Sequence, residues 1–293
     1  MTKTSLAYKY NMASVAVKLI VINVAVFLVF NLLPWLLRID SSFLNQYFVL
    51  PTESMRFIQQ PWSILSYSFL HKDVWHLLWN MVYLYVFSRF ILNLFTPKRF
   101  LTIYLLGAIF GGLAFFAAYN LLPVFEGHSV LMGASAGVMA IVIFIGTYAP
   151  NTEIRFFVFN LKLWHIAVTI FLLDLLRLPT SGNAGGLISH LGGAAFGFIY
   201  ARQLLKGNDI GLWFEKIMDI VASWFTKKPV KTKRSPLKTV HKNKAVRNQK
   251  KSNTRSKSSE QQQVDAILDK ISKSGYESLS KAEKDFLFKV GKD

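Results

Sequence analysis

Gly133-Ala134-Ser135-Ala136-Gly137 stands where a polar loop gives way to an apolar run that continues to Ala149. His190-Leu191-Gly192-Gly193-Ala194-Ala195-Phe196-Gly197 opens a second such run. Both stretches put a chemically capable side chain where hydrocarbon is expected, and polar groups inside a bilayer are costly enough to mark function. A hydroxyl beside an imidazole is a nucleophile beside its base. Whether Ser135 and His190 meet depends on the rest of the chain.

Composition points to a membrane. Of 293 residues, 52% are hydrophobic and 17% charged, against about 25% charged in an ordinary soluble domain. Apolar stretches at about 14–37, 73–95, 101–120, 135–149, 157–177 and 187–205 predict a six-span, all-α bundle. The first run lacks a small-residue cleavage site and is followed by others, so it reads as a span, not a cleaved leader. The chain has no cysteine, which excludes disulfides, thiolate catalysis and thiolate-bound metal. Short basic connections at 96–99 and 150–155, with Lys3, Lys9 and Lys18, face loops 38–72, 121–134 and 178–186, which are poor in Lys and Arg. The positive-inside rule then places both termini in the cytoplasm.

Depth links the polar groups. From Ser135 to Ala149 a helix rises roughly 21 Å, short of the roughly 30 Å of hydrocarbon, so Ser135 starts below the outer surface. His190 to Leu204 and Asn80 to Leu94 give the same rise, which sets Ser135, His190 and Asn80 at one level. His76 lies one turn above Asn80 on the same helix face. The free N–H groups at the start of the Ser135 helix, with the Asn80 amide and His76 imidazole, are donors for an oxyanion. Gly133 permits close backbone approach at the serine. Gly193 and Gly197, four apart, let the His190 helix pack tightly on another.

These residues together resemble the rhomboid intramembrane serine proteases. The match is carried by His71, His76-Leu77-Leu78-Trp79-Asn80, Gly133-Ala134-Ser135 and Ser189-His190-x-x-Gly193-x-x-x-Gly197, over about residues 14–206. The resemblance implies a Ser135–His190 dyad, an oxyanion hole of His76, Asn80 and the Ser135 N–H, and support from Gly133, His71, Met139, Gly193 and Gly197. It implies cleavage of the transmembrane segments of membrane-protein substrates near the outer leaflet, with no cofactor and no metal. The tail is similar to a short helical appendage on rhomboids of one bacterial lineage, which implies a multi-pass protein of the cell inner membrane. Three positions depart from the pattern: Ser63 follows Trp62 where an arginine is common, apolar residues surround Leu92 where a glutamate is common, and Met139 replaces an aromatic. A non-catalytic adaptor that binds transmembrane helices is the alternative; it predicts loss of Ser135 or His190.

Remaining polar residues read more simply. Asp174 and Arg177, at i and i+3, suggest a surface ion pair. His165 beside Trp164 suits an interfacial position, and Arg89 can reach inner headgroups. No His-Glu-x-x-His occurs, which argues against a zinc protease. The domain plan is a cytoplasmic segment 1–13, the core 14–206, an amphipathic interfacial helix 207–225, a basic disordered linker 226–263 and a small helical hairpin 264–293. Between Lys227 and Lys257 stand thirteen Lys or Arg and no acid, within a chain of net charge +18. This charge directly follows a membrane-lying helix, so anionic lipid is its expected partner and nucleic acid is not.

Overall fold

The computed structural model describes residues 5–125, 127–156, 159–225 and 255–290. These fall into two compact units, within residues 1–228 and 229–293. The first unit is built on α1 (Val15–Leu37), α2 (Val74–Leu94), α3 (Pro97–Leu121), α4 (Ser135–Tyr148), α5 (Leu163–Arg177) and α6 (Ala184–Leu205). Among the described residues four helices, α1, α2, α3 and α6, are long and apolar enough to cross a membrane. The expected six-span count is therefore corrected to four spanning-length helices. The reason is length: α4 has 14 residues and α5 has 15, about 21 and 22 Å of rise. The chain is a multi-pass membrane protein with a helical bundle.

Local chemistry sets the helix ends. Asp73 caps α2 by accepting the His76 N–H at 2.8 Å, and Thr96 caps α3 with Pro97 in its first turn. Asn183 accepts from the Gly186 N–H at the start of α6. Within α1, residues Leu28–Leu32 form a π turn just before Pro34, whose missing N–H already interrupts the helical ladder. The start of α5 also differs from expectation. Strands β3 (Glu153–Phe156) and β4 (Phe159–Lys162) pair antiparallel, with Glu153 opposite Lys162 and Arg155 opposite Asn160. Of the expected helical run 157–177, residues 159–162 belong to this hairpin, and α5 begins at Leu163.

The bundle is centred on α4, whose residues from Ala136 to Gly146 are buried. Its neighbours come unusually close. A Cβ at Gly193 would lie 2.2 Å from the Ala136 carbonyl oxygen, and one at Gly197 would lie 2.3 Å from that of Ala140. Gly107 of α3 meets the Ala140 methyl in the same way, at 2.3 Å. This small-residue seam presses α3 and α6 onto α4 at backbone range. At the other end of α4, a Cβ on Gly146 would meet Ala167 of α5 at 2.6 Å.

The long first loop is folded onto the bundle. Here β1 (Leu50–Pro51) pairs with β2 (Val130–Leu131), just ahead of Gly133. Tyr67, fully buried, donates its hydroxyl to the Ala108 carbonyl at 2.6 Å. Phe43, Tyr47 and Trp62 stay exposed. After α6, helix α7 (Leu212–Phe225) meets the start of α3: Asp219 pairs with Lys98 and Glu215 approaches Arg99 at 3.8 Å, while Asp209, just ahead of α7, also pairs with Arg99. Its Leu212, Trp213, Ile220 and Trp224 face outward.

The second unit is a hairpin of α8 (Arg255–Ser274) and α9 (Lys281–Val290), beginning at Arg255 and not at 264. Ser280 and Glu283 exchange backbone and side-chain hydrogen bonds as a capping box. Residues 226–254 of the expected basic linker lie outside the described residues, as do residues 1–4.

Candidate active site

Ser135 is the first residue of α4, after Ala134, which offers no capping side chain. The opening N–H groups of α4 are therefore free to receive negative charge. Ahead of it, Gly133 has φ +131°, a conformation L side chains rarely adopt. A Cβ there would lie 2.7 Å from His76 Cε1, 2.8 Å from its Nε2 and 3.5 Å from Ser135 Oγ. The serine hydroxyl and the His76 ring thus flank one point of backbone. The Gly133 N–H donates to the Tyr67 carbonyl at 3.0 Å, so the first loop fixes this turn.

Ser135, His190, His76, Asn80, Met139 and Asp174 line one cavity of about 530 Å³. Its lining comes from α2, α4, α5 and α6 and from the connection between α5 and α6. Asn80 is buried and donates one amide hydrogen to the His76 carbonyl at 2.8 Å. Met139 follows Ser135 by one turn and is buried beneath it. The α4–α6 seam explains how His190 arrives here. Gly193, one turn after His190, is locked against Ala136, the neighbour of Ser135.

Four expected residues, Gly133, His71, Gly193 and Gly197, lie outside the cavity lining. His71 is buried behind His76, with ring centroids 5.2 Å apart and both ring nitrogens lacking a hydrogen-bond partner. Burial, and then the neighbouring His76, hold its pKa at about 4, below the ordinary 6.5. Gly193 and Gly197 belong to the seam. Among the described residues no group of three or more His, Asp or Glu side chains is placed to hold a metal ion.

Sequence reasoning missed one member. Asp174 Oδ2 sits 2.7 Å from His190 Nδ1, and Asp174 is 9% exposed. The partner is the imidazole, and the expected surface pair with Arg177 is corrected accordingly. A carboxylate within a membrane-depth helix was itself the signal, since such groups seldom lack a specific partner.

A family model described as the Rhomboid domain matches residues 59–207. A second, described as a family of unknown function, matches residues 250–291. Among known proteins the chain is 30% identical over 161 residues to RHOMBOID-like protein 12, mitochondrial, of Arabidopsis thaliana, covering 50% of this chain and 47% of that one. It is 25% identical over 201 residues to Rhomboid protein 1, mitochondrial, of Saccharomyces cerevisiae (strain ATCC 204508 / S288c), covering 68% and 56%. It is 27% identical over 170 residues to Presenilin-associated rhomboid-like protein A, mitochondrial, of Danio rerio, covering 57% and 43%. The chain spans about half the length of the curated relatives it matches.

Proposed function

The chain belongs to the rhomboid family, and from that premise we propose that it is a serine endopeptidase cutting transmembrane segments of membrane proteins. Ser135 is the nucleophile and His190 the general base. The observation that carries this reading is the shared cavity, which gathers a serine at a helix N-terminus, an imidazole and a carboxamide from α4, α6 and α2.

The chemistry follows from the donors. His190 takes the Ser135 proton as Oγ attacks the scissile carbonyl. The oxyanion is met by the Ser135 N–H, the Asn80 amide and the His76 imidazole, already aimed before the charge develops. His190 then protonates the departing amine, and a water repeats the sequence to free the acyl group. Neither cofactor nor metal is needed for these steps.

Substrate reaches the cavity sideways, between α2 and α5, a route supported by the exposure of the lining aromatics Trp75 and Trp79 on α2. The connection 178–183, between α5 and α6, serves as a lid. The termini lie on the cytoplasmic side of a cell inner membrane, with the basic linker held at anionic lipid and α7 lying on the inner leaflet. The test is cleavage of a model transmembrane substrate by the purified chain in detergent. Wild type should cut, while Ser135→Ala and His190→Ala, still folded, should not. Equal turnover by either variant would exclude the assignment.

A further inference from the structure

The geometry points to Asp174 as a positioning residue that sets the tautomer of His190, which turns the reaction centre into a serine–histidine–aspartate triad spread over three helices. This rests on reading Ser135 and His190 as nucleophile and base. Asp174 Oδ2 is 2.7 Å from His190 Nδ1, with both side chains largely buried. An ionised carboxylate only accepts, so the proton between them belongs to Nδ1. Nε2 is then left with its lone pair free, the form a general base requires.

The proton count closes. The Ser135 O–H bond breaks as Nε2–H forms, and Oγ bonds to the substrate carbonyl carbon. The peptide C–N bond breaks as Nε2 hands that proton to the amine. Asp174 keeps its charge throughout and steadies the imidazolium formed in between, where low dielectric strengthens the attraction.

The location of Asp174 adds a conditional element. Ser135 and His190 ride on α4 and α6, which the Gly193 and Gly197 contacts lock together. Asp174 rides on α5, one turn from its C-terminal end. The tight contact of α5 with α4, Gly146 against Ala167, lies at the opposite end of α5. A swing of the α5 end that bears Asp174 would leave the Gly193 and Gly197 contacts of the α4–α6 seam in place. Such a swing breaks the carboxylate–imidazole bond, so His190 is oriented only when α5 is seated. The base is complete when the cavity wall is closed and incomplete while it is open.

Two measurements on the full chain in detergent test this. Nitrogen-15 NMR of histidine-labelled wild type, above the imidazole titration, should show His190 protonated at Nδ1; an Nε2–H tautomer would overturn the proposal whether or not the chain cleaves anything. Kinetics on a transmembrane substrate should show Asp174→Asn lowering kcat by about 10²–10⁴-fold with KM little changed. Asp174→Glu should recover at least about tenfold of that loss, since it restores a carboxylate acceptor. A kcat for Asp174→Asn within about threefold of wild type, or a loss confined to KM, would overturn it. Absence of cleavage by wild type would instead strike the protease reading alone.

Discussion

Gly133 shows how much a single residue can decide. Its φ of +131°, and the 2.7 Å that would separate an added Cβ from His76 Cε1, leave no room for a methyl group. Gly133→Ala should therefore push His76 aside and lower cleavage by about tenfold or more, since displacing a positioned donor by about 1 Å costs that much; the check is turnover alongside a thermal melt. An unchanged rate would mean His76 does not serve the oxyanion. His71 makes a different prediction, about stability. Its folded pKa of about 4 lies below the ordinary 6.5, so folding favours the neutral ring. That contribution is fully present above the unfolded value and is lost as pH falls from 6.5 toward 4. Melting temperature should drop across this window, and His71→Gln should flatten the drop. Ser135, His190, His76 and Asn80, which line one cavity, stand out in the sequence as polar groups in apolar helices. Asp174 was visible too, but spacing along one helix suggested Arg177 as its partner. Only the rotation of α5 against α6 reveals the imidazole.

Among the elements, the α4–α6 seam is the joint on which the site depends. Gly193→Val would drive a side chain into the Ala136 carbonyl, 2.2 Å from the added Cβ. Overpacking of this kind costs about 1–3 kcal/mol or more, and here it should also part His190 from Ser135. Lower melting temperature together with lost cleavage is expected; a stable, fully active variant would refute the packing role. The GxxxG spacing made this seam legible in advance, since only small residues allow such approach. Helix count was less legible. Hydropathy registers apolarity, but α4 and α5 are apolar and short, and the run near 157 is shared with a β hairpin. Alternating Glu153, Ile154, Arg155 and Phe156 carried the strand signal, which the aromatic content around it masked.

For the whole molecule, the absence of cysteine makes lateral entry directly testable. Tyr83 of α2 and Ile170 of α5 both line the cavity. Tyr83→Cys with Ile170→Cys, joined by a bifunctional thiol reagent, should block cleavage of a transmembrane substrate while a small serine-directed reagent still enters. Undiminished cleavage after crosslinking would exclude that route. If Ser135 is a nucleophile made reactive by His190, treating the purified chain with a fluorophosphonate and locating the adduct by mass spectrometry will reveal it. One adduct is expected, on Ser135, absent from the folded His190→Ala variant. An adduct elsewhere, no adduct at all, or equal labelling without His190 would contradict it.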